Sequence, residues 1–286
     1  MKHIRIISPS GAIDPAYIDR AAARLRSWGH EVSEGLFARG TNGRFAGTDE
    51  ERLQDLTEAL ADPSVDCILC SRGGYGLQRI IDRVPAGYDK PVIGFSDITA
   101  LHCLWAQQNS PSLHSIMCKH VATLPEDSDP MVYLRKALDG EPLFYTVPAH
   151  PLNRQGNATA PVKGGNLSVL YGLQGTPYAL QNTTEGSILL IEDICERHYH
   201  IDRMMRNLRM SGLLASLSGL VVGQFSDCDD DPGMKCTVYE TIKEAVADYD
   251  YPVVFNAPFG HVAYNLPLWL GRPVSLSVTS EGATIR

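Results

Sequence analysis

The chain has no basic excess, no long apolar run, no ordered cysteine framework and no low-complexity tract, and each absence removes a class of protein. Its 25 Lys+Arg are outnumbered by 33 Asp+Glu, a formal charge of −8. Nucleic-acid binders carry a basic balance or a Lys/Arg stripe, so no nucleic-acid partner is expected. The acidic sign also argues against docking on an anionic membrane. No stretch reaches the roughly 18 consecutive apolar residues that span a bilayer. Residues 1–11, MKHIRIISPSG, hold a short apolar run broken by Arg5, without a small-residue cleavage site. They read as a first strand and its loop rather than a secretory signal, and a cytoplasmic location is expected. The seven cysteines are odd in number and scattered. Cys67 and Cys70 form a C-x-x-C, but inside the apolar run VDCILC, with no second pair to complete a zinc set. They read as buried, reduced strand residues, in keeping with a reducing compartment. What is present is ordinary: 286 residues, 44% hydrophobic and 20% charged, enough for one large domain or two modest ones.

The first half alternates strand and helix. Residues 3–8 read as a buried strand broken by SPSG, and 15–28 carry helical spacing (Ile18, Ala22, Leu25) closed by Gly29. Thr48 and Glu51 form a capping box ahead of a helix bearing Leu53, Leu56 and Leu60, which Pro63 ends. A strand at 65–70, a glycine-rich loop S-R-G-G-Y-G, a short helix from Leu77, a strand at 91–95 and a helix over 98–108 follow. This alternation implies an α/β domain with a parallel sheet, assigned to 1–140. Residues 141–161, rich in Pro, Gly and Asn and without a period, read as a linker. Beyond it, 162–286 carry the apolar strand GSILLIEDI, an amphipathic helix over 199–210, the strand LVVGQF, a helix over 237–248 and the strand VVF. These predict a second, smaller, mixed α/β domain.

Ligands of parallel α/β sheets sit beyond the carboxyl ends of the strands, and two strand-to-helix turns there are unusual. The loop from Ser71 through Arg72, Gly73 and Gly74 to Gly76 can point successive N–H groups at an anion, or be merely a tight turn. It lacks the G-K-[ST] of a phosphate-binding P-loop and the spacing of a dinucleotide fingerprint. The second turn is Gly94-Phe95-Ser96-Asp97, an apolar strand running straight into a serine and a helix, the layout of a nucleophile elbow. Ile98 stands where the elbow pattern has its last glycine, and Ser96 could equally be a helix N-cap. A serine nucleophile needs a base and an orienting carboxylate. His261 stands out among nine histidines because it lies in the loop A-P-F-G-H-V-A-Y-N-L-P. Glu192 ends an apolar run, where a carboxylate is costly to bury unpaired; Asp193 and Glu196 are its neighbours.

GFSDIT, SRGGYG, KGGNLS, LLIEDICERHYHIDRMMRNL and FGH occur here in one order. Together they resemble the LD-carboxypeptidases, the serine peptidase family that also includes microcin-immunity proteins, over nearly the whole chain. The resemblance implies a Ser96–Glu192–His261 triad split across two domains. The N-terminal domain would resemble class I glutamine amidotransferases (flavodoxin-like), with a smaller C-terminal domain beside it. It further implies removal of the terminal D-alanine from a murein tetrapeptide during cytoplasmic cell-wall recycling, a homodimer, and no metal or other cofactor. The backbone N–H groups of Asp97, Gly73 and Gly74 would form the oxyanion hole. Arg72 could take the substrate carboxylate or brace its loop, and Asn166 could line the pocket or turn the chain. Two other readings stand beside this one: a microcin-immunity-type peptidase acting on a peptide- or aminoacyl-nucleotide, and a non-catalytic binding module. A glutamine amidotransferase would need cysteine at the elbow, and Cys103 lies in the following helix.

Overall fold

A computed structural model describes residues 1–180 and 186–286. They form two compact units of nearly equal size, Met1–Pro142 with Leu266–Trp269, and Leu143–Asn265 with Leu270–Arg286. The second is the slightly smaller of the two. The linker expected over 141–161 is corrected: β6 (Tyr145–Pro148) and the first half of β7 (Gly156–Asn166) occupy it. Small polar residues at the outward positions of these strands hide the period that a bulky β-former would reveal.

The first unit places β1 (His3–Ile7), α1 (Pro15–Ser27), β2 (Glu31–Glu34), α2 (Asp49–Ala61), β3 (Cys67–Cys70) and β4 (Val92–Gly94) in chain order. α3 (Thr99–Gln107), β5 (Ser112–His114), α4 (Cys118–Thr123) and α5 (Asp129–Asp139) follow. Sequence chemistry sets several boundaries. Asp14 caps α1 with Pro15 in its first turn, and the Thr48–Glu51 capping box starts α2. The helix expected from Leu77 is two 3-10 turns, Leu77–Arg79 and Ile81–Arg83. The strands lie in the order β2-β1-β3-β4-β5, all parallel, the order of flavodoxin-like sheets. β11 (Leu268–Leu270) adds to the free side of β5. Buried on both faces, the central strands β3 and β4 read as continuous apolar runs, CILC and VIG. Cys67 and Cys70 are free and buried there, and burial pushes the Cys67 thiol up to about 12.

The second unit holds a seven-stranded sheet. It uses β6, β7, β8 (Ser187–Ile194), β9 (Leu217–Ser226), β10 (Val253–Val254), β12 (Pro273–Thr279) and β13 (Gly282–Ile285), in the order β10-β9-β8-β7-β12-β13-β6. Pairing is parallel from β10 to β7 and antiparallel from β7 to β6. β7 serves both halves: its start pairs with β12 and its end, Val162 to Asn166, with β8. α6 (Leu167–Gly172), α7 (His198–Met210) and α8 (Val238–Ala245) complete the unit. No helix among the described residues is long and apolar enough to cross a membrane.

Candidate active site

In the first unit β4 ends at Gly94, and the chain turns at Ser96 with φ 66°. A non-glycine residue held there costs about 1–3 kcal/mol and persists only where its surroundings impose it. Gly94 makes the turn possible, because a Cβ at that position would lie 2.8 Å from Cγ1 of Ile98. The departure from the elbow pattern at Ile98 is thus accommodated by a glycine four residues earlier. Ser96 opens a 3-10 turn before α3 and caps neither helix, so the N-cap role is not taken. The Gly94 carbonyl accepts from the Ser115 amide at 3.1 Å and from Nε2 of buried His102 at 3.0 Å. Ser112 Oγ completes the chain at His102 Nδ1, 2.8 Å away. Burial pushes the His102 pKa down to about 4, leaving a neutral imidazole able to donate on one side and accept on the other.

The glycine loop passes directly over this serine. A Cβ on Gly73 would lie 2.9 Å from Cβ and 3.1 Å from Oγ of Ser96, so only glycine fits. The carbonyl of Gly73 accepts from the Gly11 amide at 3.1 Å, and Gly74 takes φ 110°. Arg72 is exposed, with Nη1 donating to the Ala12 carbonyl at 2.9 Å. The Asp97 side chain is buried, and its Oδ2 accepts from Ser10 Oγ at 2.6 Å and from the Leu77 amide at 3.0 Å. Burial pushes this carboxyl upward in pKa against the opposing pull of those bonds and of Arg52.

In the second unit the apolar run of β8 ends in two acids. Glu192 is 0% exposed, and its Oε2 lies 2.8 Å from Nδ1 of His261. Its Oε1 accepts no hydrogen bond among the described residues. Gly260, at φ 125°, lets the loop close on the acid: a Cβ there would meet Glu192 Oε2 at 3.0 Å. The loop is held from both ends, Ser226 Oγ donating to the His261 carbonyl at 2.9 Å and the Gly260 amide to Oδ1 of buried Asn265 at 2.9 Å. Burial alone would lower the His261 pKa, but the Glu192 hydrogen bond and charge, with Asp193 behind, outweigh it and raise it. With Nδ1–H donated to the carboxylate, Nε2 is the acceptor.

Asp193 serves a different end. It accepts from Asn166 Nδ2 at 2.8 Å and from the Ser168 amide at 2.8 Å. Burial, then the charge of Glu192, push its carboxyl up to about 7. Asn166 is 4% exposed, and its Oδ1 accepts from Ser168 Oγ at 2.8 Å and from the Val169 amide at 3.1 Å. Asn166 is also the N-cap of α6.

Residues 4–115 match the LD-carboxypeptidase N-terminal domain and residues 159–276 the LD-carboxypeptidase C-terminal domain. A Bacillus subtilis protein named "Probable murein peptide carboxypeptidase" is 31% identical over 99% of this chain and 91% of its own length. This chain belongs to the LD-carboxypeptidase family. The crystal structure of muramoyltetrapeptide carboxypeptidase from Oxalobacter formigenes superposes with a TM-score of 0.89 at 26% identity, covering 99% of this chain and 97% of that one. The microcin C7 self-immunity protein MccF shares the fold, with a TM-score of 0.80 at 21% identity over 99% of this chain and 95% of that one.

Within this LD-carboxypeptidase, Ser96, Asp97, Gly73, Gly74 and Arg72 gather beyond the carboxyl ends of the central strands β3 and β4, and Glu192, His261 and Asn166 at the ends of β7 and β8 and the loop after β10. Sequence reasoning missed His102, Ser226 and Asn265. Asn265 lies in the histidine's own loop and could have been found there; nothing local marks the other two as partners.

Proposed function

We propose that this chain is a serine LD-carboxypeptidase that hydrolyses the bond between an L-centred diamino acid and the terminal D-alanine of a murein tetrapeptide. The observation that carries the reading is the buried Glu192–His261 pair at 2.8 Å in a chain whose strand-end serine sits at φ 66°. Ser96 Oγ adds to the carbonyl carbon before D-alanine, and its proton passes to His261 Nε2. Glu192 holds the tautomer and balances the imidazolium. The oxyanion is met by the N–H groups of Asp97 and of the Gly73–Gly74 loop, donors worth about 3–4 kcal/mol each in comparable enzymes. The imidazolium then protonates the departing amine. Water, deprotonated by the same imidazole, releases the shortened peptide from Ser96. Arg72, exposed beside the serine's loop, is the cation assigned to the substrate carboxylate, and Asn166 is assigned to positioning through Asp193.

The family resemblance supports the rest of the reading, a homodimer acting on recycled muropeptides in the cytoplasm. Incubation with L-Ala-γ-D-Glu-meso-diaminopimelate-D-Ala, followed by mass spectrometry, should show loss of one alanine by the wild type and none by Ser96→Ala. Intact tetrapeptide after incubation with folded wild-type protein would overturn the assignment.

A further inference from the structure

Two buried groups of opposite charge grip the same two loops. Arg52 projects from α2, and its side chain is 1% exposed. Nη1 donates to the carbonyl of Pro9 at 2.6 Å and to that of Gly76 at 3.0 Å, while Nη2 pairs with Asp49. Asp97 takes the adjoining groups, the Ser10 hydroxyl at 2.6 Å and the Leu77 amide at 3.0 Å. The carbonyl of Gly76 and the N–H of Leu77 belong to one peptide group. That peptide therefore donates to a buried carboxylate and accepts from a buried guanidinium, which leaves its plane one orientation. The neighbouring loop is gripped alike, at consecutive residues Pro9 and Ser10. A side chain at Gly76 could not coexist with the clamp, since its Cβ would lie 2.7 Å from Arg52 Nη1.

Burying a guanidinium and a carboxylate is expensive, and hydrophobic residues of similar volume often serve stability as well or better. The arrangement is explained by what it orients. The clamped peptide lies three residues after Gly73, whose backbone packs against Ser96, and Asp97 follows that serine in the chain. The second grip, on 9–10, adjoins Gly11, whose amide donates to the Gly73 carbonyl at 3.1 Å.

We propose that Arg52 and Asp97 are a positioning pair, locking the Gly76–Leu77 peptide so that the glycine loop presents its N–H groups at a fixed height over Ser96. The role assigned to that loop rests on the proposed serine-peptidase reading; the clamp itself does not. Neither side chain touches substrate. The guanidinium fork is needed because one rigid group must reach carbonyls on two loops, which a lysine ammonium does poorly.

The test pairs kinetics with amide exchange in the intact protein. In Arg52→Lys and Asp97→Asn, kcat on the tetrapeptide should fall on the order of a hundredfold while KM stays within about twofold, the signature of lost transition-state alignment. Hydrogen exchange at the Leu77 amide should quicken at least tenfold, while the core strands β1 and β3 keep wild-type protection. Equal loss of protection across loop and core would reduce the pair to general stability and overturn the proposal, as would an unchanged kcat. If either variant fails to fold, the wild type decides: a Leu77 amide exchanging as fast as an exposed loop amide refutes the clamp. Wild-type protein inert on the tetrapeptide, with Leu77 protected and then released in the variants, would refute the substrate reading and leave the clamp standing.

Discussion

Glu192 Oε2 stands 2.8 Å from Nδ1 of His261, and the carboxylate has no exposed surface. A buried acid holding one ring nitrogen leaves the other as a base of fixed tautomer, and several consequences are measurable.

Glu192→Gln keeps the shape of the acid and removes its charge, so the imidazole can settle in the wrong tautomer. We expect kcat to fall on the order of 10³–10⁴-fold, as for amide replacement of the acid in known serine triads, with KM little changed. A loss below tenfold on steady-state assay would remove Glu192 from the mechanism.

In the proposed mechanism the base works only when neutral, so activity should rise with pH as the His261 proton leaves. Its pKa is raised despite burial, because the Glu192 bond and charge prevail. The acidic limb of kcat/KM should therefore have its midpoint above the ordinary imidazole value of 6.5. In Glu192→Gln the residual activity should show that midpoint displaced to lower pH. A limb at or below 6.5 in the wild type would contradict the electrostatics.

Asp193 carries the second consequence of burying adjacent acids. Its folded pKa of about 7 lies above the ordinary 3.8, so the folded state binds this proton more tightly than the unfolded chain does. The resulting stabilisation is complete below 3.8 and is lost as pH rises through about 7. His261 has the same sign, its share being lost as pH climbs from 6.5 through its raised folded value. Calorimetry between about pH 5 and pH 8 should show the melting temperature of Asp193→Asn falling less steeply than that of the wild type. Parallel profiles would show that Asp193 does not titrate in this range.

Gly73 and Gly74 separate steric from conformational demands. Gly73→Ala drives a methyl to 2.9 Å from the Ser96 Cβ and should displace the serine, costing on the order of a hundredfold in kcat. Gly74→Ala meets nothing nearer than 3.8 Å but holds φ at 110°. Its cost should appear as about 1–3 kcal/mol of stability, read by urea denaturation. Equal kinetic losses in the two variants would count against a loop that rests on Ser96.

The sequence by itself determined the elements whose partners are near in the chain. The capping box at Thr48 and Glu51, the buried runs of β1, β3 and β8, and the sharp turn at Gly94–Ser96 all follow from local spacing and local sterics. It also marked Glu192 as an acid in need of a partner, because burial of a charge at the end of ILLIED is visible without coordinates. Tertiary structure decided the rest. Residues such as Asn157 and Ala158 on β7 carry no strand signal until β12 pairs with them, so 141–161 read as a linker. Leu266–Trp269 returns to the first unit across more than a hundred residues, which no periodicity announces. The bond from Asn166 to Asp193 forms only because β7 pairs with β8. Nothing local marks Arg52, whose two carbonyl partners come together only when the fold closes two loops around it. Local pattern governs which backbone forms. Which buried polar group meets which is settled only when sheet register and loop closure bring distant residues within hydrogen-bond reach.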